Sequence, residues 1–196
     1  MPKKKGRNTK NRIVSAAWTL FYKQGYDNTT VEEIIEESNT SKGSFYHYFE
    51  GKDALLGSLS CIFDEKYEEL MDTMPAEMSS YDKLIFMNKE LFFMIENSIS
   101  LELLARLYSS QVITKGDRHL LDQNRIYYKL LRQIVIEGQE NGEFREDVSV
   151  NEIVKAYALC ERAILYDWCI CNGGYSLAKY SETLLPMFMD GFRKRN

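Results

Sequence analysis

The stretch Ser41–Leu56, SKGSFYHYFEGKDALL, sets Phe45, Tyr46, Tyr48 and Phe49 around His47, with Lys42 and Lys52 on either side. Three readings of such a cluster compete: a piece of core, a metal or catalytic site built on His47, or a surface that touches nucleic acid. On a helix with about 100° between neighbours, Phe45 and Phe49 share one face. They are expected to pack against Ile13, Ala17 and Phe21 upstream and against Ile34. Lys42, Gly43, Tyr46 and His47 fall away from that face, and Tyr48 sits at its edge. Core therefore explains two of the rings and leaves the others. The metal reading fails on counting, because His47 has no Cys, His or close Asp at ligand spacing. General acid–base work lacks a neighbouring nucleophile or carboxylate constellation. No catalytic residue and no metal ligand is assigned.

The nucleic-acid reading gains from what precedes the stretch. Ile13, Ala16, Ala17, Leu20 and Phe21 recur at the spacing of one helical face and predict a helix over 9–24, stopped by Gly25. Thr30-Val-Glu-Glu33 is a capping box that opens a short helix carrying Val31, Ile34 and Ile35. After Ser38-Asn39-Thr40 a second short helix runs over about 41–49, broken at Gly51. Two short helices joined by a tight turn make a helix-turn-helix. The second helix of that motif enters the major groove and the first crosses the backbone.

The residue types suit the role. Ser41, Lys42 and Ser44 can donate to base edges or phosphates, and Gly43 allows close approach of backbone to backbone. Tyr46, His47 and Tyr48 present flat bodies with polar tips to a phosphate oxygen or a thymine methyl. Thr30 and Lys52, each near a helix start, are expected to hold phosphates on either side. The basic arm with Lys3, Lys4, Lys5 and Arg7 is expected to reach further along the duplex or into a minor groove.

Downstream the chain reads as helices throughout. After the break at Gly51-Lys-Asp a longer helix is predicted to about Met74, before Pro75, then five more over about 80–97, 99–113, 117–138, 149–171 and 176–194. Ser149-Val-Asn-Glu152 is a second capping box, and EGQENGEFRED (Glu137–Asp147) carries the glycines and polar residues of a helix stop and loop. No segment alternates like a strand and no hairpin turn joins strand-like runs. The expected fold is all-α with about nine helices: a three-helix DNA-binding domain at 1–52 and a helical body at 53–196.

Bulk properties agree. With 44% hydrophobic and 28% charged residues and only 3 Pro in 196, the chain has the composition of a folded globular protein. No run of eighteen or more uncharged apolar residues suggests a membrane span, and the N-terminal segment lacks the continuous apolar stretch of a signal peptide, so a cytoplasmic location is expected. Cys61, Cys160, Cys169 and Cys171 lie in helix-like apolar segments and read as buried thiols. The formal charge of −4 hides an asymmetry, because residues 1–60 carry nine basic and seven acidic side chains while the remainder is net acidic. A slightly basic head on an acidic body fits nucleic-acid contact by the head alone.

Taken together, GYDNTTVEEIIEESNTSKGSFYHYFEGKDALL (Gly25–Leu56) resembles the DNA-binding domain of the tetracycline-repressor-like (TetR) family of regulators. The resemblance rests on Gly25, Tyr26, Thr29, Thr30, Val31, Ile34, Gly43, Ser44, Phe45, Tyr46, Tyr48, Phe49 and Lys52. The sequence departs from the family pattern at Asn39, where the turn usually has Gly, and at Ile35, Thr40 and Glu50. Asn tolerates a left-handed conformation best among the non-glycines.

The resemblance implies a homodimer whose last two helices pair across a two-fold axis into a four-helix bundle. It also implies a small molecule held in the body that weakens operator binding. For the interface it points to Ile153, Tyr157, Ile164, Leu165, Leu177, Tyr180, Leu184 and Phe188. For a small amphipathic or aromatic ligand it points to Phe86, Phe93, Arg106, Tyr108, Tyr127, Cys160, Arg162 and Trp168, an aromatic wall with a few charges. The implied partners are thus double-stranded operator DNA, a second copy and that ligand, with no cofactor and no membrane. Two other functional classes compete with this reading. A carboxylate-bridged metal enzyme needs paired Glu-x-x-His motifs, and neither His47 nor His119 is preceded by Glu three residues earlier. A dimeric helical adaptor without ligand-controlled DNA binding is the remaining alternative.

Overall fold

The computed structural model describes residues 3–75, 77–113 and 118–195, with side chains from residue 9 onward. Among the described residues the chain is helical: α1 (Lys3–Gln24), α2 (Val31–Glu37), α3 (Lys42–Tyr48), α4 (Lys52–Leu56), α5 (Leu59–Thr73), α6 (Ser80–Ser98), α7 (Leu101–Ile113), α8 (Ile126–Glu140), α9 (Val150–Ile170) and α10 (Leu177–Met189). Two 3-10 turns, His119–Leu121 and Asp190–Phe192, and one isolated bridge between Phe144 and Arg193 complete it. The all-α expectation holds. The extra α-helix arises because the segment after Lys52 is two helices rather than one.

That break has a local cause. The Ser58 hydroxyl donates to the Leu55 carbonyl (2.6 Å) and accepts from Trp18 Nε1 (2.8 Å), so the side chain competes with the helical ladder. A Cβ on Gly57 would lie 2.6 Å from Cδ2 of His119, so only glycine lets that ring close over the junction. The helix expected from residue 117 instead starts at Ile126, because Asp122 Oδ1 accepts from the Asn124 amide (2.9 Å) and holds a turn. At the other end of the chain, α1 begins at Lys3, well before the predicted residue 9. Lysine and arginine are good helix formers, and the expected extended arm is a continuation of α1.

The chain forms two compact units. The first comprises Met1–Cys61 with Arg106–Leu120, the second Ile62–Ala105 with Leu121–Asn196. The first is thus larger than the segment 1–52 expected to read DNA, and it takes in most of α7. Its core is the expected one: Ile13, Ala17, Phe21, Ile34, Phe45, Phe49 and Leu55 are buried. Each of the Ile, Leu and Phe side chains contributes roughly 1.5–3 kcal/mol relative to exposure.

In the second unit α6 lies against α8 and α10, and α9 packs on α8 and α10. Leu84, Met87, Phe92 and Ile95 of α6, Leu131, Ile134 and Val135 of α8, and Leu185 and Met189 of α10 are all buried in its interior. The predicted loop after α8 closes against the core: a Cβ on Gly138 would fall 2.3 Å from the fully buried Phe144 ring, so the glycine makes the room. The Glu143 carboxylate then accepts from the Ser80 and Tyr81 amides (3.0 Å each) at the positive end of α6.

Candidate nucleic-acid interface

The helix-turn-helix is built by its caps. Thr30 caps α2 with the full capping box expected from sequence, its backbone N–H donating to Glu33 Oε2 at 2.7 Å. These bonds hold the Glu33 carboxyl below the usual carboxylate range, the backbone bond from Thr30 first. Ser41 caps α3 by accepting from the Ser44 amide (3.1 Å). Between them Asn39 adopts φ +48°, the left-handed conformation that Gly usually supplies. Arg12 of α1 fixes the same turn, donating to the carbonyl of Ser38 (Nη2, 2.6 Å) and to that of Asn39. Arg12 is therefore internal to the motif.

On α3, Phe45 and Phe49 face inward with ring centroids 5.8 Å apart. Lys42, Gly43, Tyr46 and His47 are exposed together on the opposite side, while Ser44 and Tyr48 are half-buried at its edges. Tyr46 is 47% exposed. Lys42 lies 3.6 Å from the Glu32 carboxylate and 5.9 Å from the Tyr46 ring centroid, both in solvent, so its ammonium is available to an anionic partner. Gly43 is the informative residue. A Cβ there would meet nothing within 4 Å, and its φ is not positive, so nothing inside the protein requires glycine at this position.

Two expected contacts look different in three dimensions. Lys52 donates from Nζ to the carbonyls of Tyr26 (2.7 Å) and Thr29 (2.8 Å), so it braces the α1–α2 turn instead of standing free for a phosphate. A lysine before a short helix looks the same in sequence whether it faces inward or outward. Lys3, Lys4, Lys5 and Arg7 belong to the backbone of α1, but their side chains lie outside the described residues.

In the second unit, Tyr127, Cys160 and Trp168 of the expected ligand set are buried, and Phe86 and Arg162 are half-buried. Phe93 is not among them: it is 59% exposed, because Leu84, Met87, Leu91 and Ile95 already supply the inward face of α6. Arg106 and Tyr108 belong to the first unit, and the Arg106 guanidinium pairs with Asp27. The residue that sequence reading left off its list is Glu161, 4% exposed at a core position of α9. It accepts from Asn88 Nδ2 (2.9 Å) and from the Tyr127 hydroxyl (2.5 Å), and no cation forms an ion pair with it among the described residues. Burial raises its pKa, opposed by these hydrogen bonds. Burial and the adjacent Glu161 push the Cys160 thiol up to about 11. A carboxylate in register with Val154, Tyr157, Ile164 and Trp168 was the available signal.

The expected pairing residues need the largest revision. Ile153, Tyr157, Ile164, Leu165 and Leu177 are all 5% exposed or less within one chain, so they form the interior of the unit rather than a free surface. Helix α9 has two apolar sides. The outward one is Leu159, Ala163, Tyr166 and Ile170, with Leu159, Tyr166 and Ile170 each at least 56% exposed. On α10, Tyr180, Met187 and Phe188 are exposed, with Leu184 half-buried beside them.

Comparison with known proteins follows this geometry closely. Residues 13–59 match the family described as bacterial regulatory proteins, tetR family. Residues 63–191, about two thirds of the chain, match the family described as YsiA-like protein, C-terminal region. An HTH-type transcriptional regulator from the lacX 3′ region of Lactococcus lactis is 48% identical over 46 residues, 24% of each chain. The HTH-type transcriptional regulator QacR of Staphylococcus aureus is 28% identical over 143 residues, 70% of this chain and 74% of its own. Among solved structures, Thermus thermophilus FadR, a TetR-family transcriptional repressor in complex with lauroyl-CoA, shares the fold with TM-score 0.80. It is 22% identical, over 95% of this chain and 96% of its own.

Proposed function

Because the chain belongs to the TetR family of bacterial regulatory proteins, we propose that it works as a homodimeric repressor released from its operator by a small molecule. Members of this family are DNA-binding regulators of transcription, not enzymes. The observation that carries the reading is the outer side of α3. It groups Lys42, Gly43, Tyr46 and His47 in solvent, and its glycine has no purpose inside the fold. We assign DNA contact to these four with Thr30, Ser41, Ser44 and Tyr48, and to the Lys3, Lys4, Lys5 and Arg7 end of α1. The DNA-contacting residues are proposed to lie within 1–52, while the unit that supports them also takes in residues 53–61 and 106–120.

The dimer is proposed to form through Leu159, Ala163, Tyr166 and Ile170 of α9 and Tyr180, Leu184, Met187 and Phe188 of α10. Their spacing makes two parallel apolar stripes that a second copy would cover. Two recognition helices then meet major grooves about 34–36 Å apart, or a multiple of it, on a near-palindromic site. The ligand is proposed to be small and amphipathic, with Phe86, Tyr127, Cys160, Arg162 and Trp168 as candidate lining. The fold shared with an acyl-CoA-bound repressor supports this class.

The test is fluorescence anisotropy with a duplex selected from random sequence by the protein itself, against a scrambled control. Binding that prefers the selected duplex and saturates at one or two dimers per site is expected. Failure to enrich any sequence, with no binding at low salt, would put the adaptor alternative first.

A further inference from the structure

The turn between α1 and α2 is held by charged side chains from far along the chain. Tyr26 is buried, and two cations lie over its ring: Lys52 Nζ at 4.3 Å from the centroid and the Arg106 guanidinium carbon at 4.8 Å. The Tyr26 hydroxyl donates to Asp53, and Arg106 also pairs with Asp27, the next residue of the turn. With the Lys52 bonds to the carbonyls of Tyr26 and Thr29, α4 and α7 together fix the backbone from Tyr26 to Thr29. Thr30, the cap that sets where α2 begins, is the next residue.

The Arg106 contact differs from the others. Lys52 and Asp53 lie in α4, a few residues beyond the motif, whereas Arg106 lies 79 residues from Asp27, on α7. Its guanidinium stacks on an aromatic ring and pairs a carboxylate at once, a combination that lysine reproduces only in part. From these contacts we infer that Arg106 is a positioning residue for operator binding: it sets the α1–α2 turn, and through Thr30 the start of α2, without touching DNA. The inference rests on the DNA-reading function proposed above. Arg106 was expected in a ligand pocket, and its partners in the first unit assign it to the reader instead.

The effect should be moderate. A half-exposed ion pair together with a cation–π contact corresponds to about a 5–20-fold change in affinity when both are removed. The experiment is anisotropy with the selected duplex across a salt series, for the wild type, Arg106→Met, Arg106→Lys, Asp27→Asn and the Asp27→Asn/Arg106→Met double variant. Arg106→Met should bind about 5–20-fold more weakly, with an unchanged slope of log affinity against log salt, because no phosphate contact is lost. Asp27→Asn should weaken binding less, and the double variant should resemble Arg106→Met alone, since the two residues act as one unit. Arg106→Lys should stay within about 3-fold of wild type, because it keeps the pairing charge. Helicity should be unchanged throughout. Wild-type affinity in Arg106→Met, a salt slope reduced by about one, or additive losses in the double variant would each overturn the inference. If the wild type itself binds no duplex, the DNA-reading function fails and takes this role with it.

Discussion

Gly43→Ala separates two demands that are usually entangled, because it should move stability and DNA affinity in opposite directions. The residue is second in α3, exposed, with helical backbone, and an added methyl would meet no atom within 4 Å. Alanine there removes conformational freedom from the unfolded chain and clashes with nothing, so the fold should gain about 0.5–1 kcal/mol. For a chain of this size that is a rise in Tm of about 1–3 °C. In the proposed DNA-bound state the same methyl would face the duplex beside Lys42. If the helix backbone lies against sugar and phosphate, the overpacking costs about 1–3 kcal/mol per protomer, or roughly 5–150-fold in affinity for each half-site. Calorimetric melting and anisotropy on the selected duplex read the two quantities from one preparation. A variant that is more stable and binds as tightly as wild type would refute the claim that this glycine exists for close approach. A variant that melts lower would refute the packing argument itself.

Three further outcomes follow from particular contacts. Leu159→Glu places a charge on an already exposed position of α9, so the protomer should stay helical while sedimentation reports a monomer; an unchanged dimer would show that the pairing surface lies elsewhere. Tyr46→Ala should weaken operator binding by about 1–3 kcal/mol with no loss of helicity, measured by anisotropy and circular dichroism. Glu161→Gln should flatten the pH profile of stability. The Glu161 pKa is raised by burial, so its contribution is fully present below the ordinary carboxyl range and is lost as pH climbs through the raised value, at no more than about 1.4 kcal/mol per pH unit. Urea melts of both proteins from pH 5 to 8 should diverge as pH rises, with the Gln variant the less sensitive; parallel profiles would mean that Glu161 does not titrate differently on folding.

Much of this molecule is legible in its sequence, and the legible parts share a cause: they depend on neighbours a few residues away. The capping boxes at Thr30 and Ser149, the left-handed Asn39, the stop at Gly25 and the inward pairing of Phe45 with Phe49 are all set by local spacing. The parts that escape are set by partners far along the chain. Whether a basic residue faces solvent or braces a carbonyl is not written in its neighbours. Arg12, Lys52 and Arg106 each bond to residues at least 23 positions away. Helix α9 shows a second limit. Its apolar period was evident, but a helix with two apolar sides does not say which one its own chain will cover. The exposed Leu159 and the buried Tyr157 are two residues apart, and the more apolar of the two is the one left in solvent.

Those two sides of α9 also limit how the protein can drift over generations. A helix of 21 residues extends about 32 Å, and here one flank closes the core around Glu161 while the other, left exposed within the chain, is the side proposed for pairing. Its exposed polar residues offer little separate surface: Lys155 is in line with Leu159 on the outward side, and Asp167 accepts from the Tyr175 hydroxyl (2.9 Å). On that proposal, lineages that retune a ligand site in the body have little room to do so from α9 without disturbing assembly. Adaptive substitutions should therefore collect on the other walls, α6 and α8, and a deep mutational scan should find α9 far less tolerant than α5, whose outer side is the acidic series Glu65, Glu68, Glu69 and Asp72.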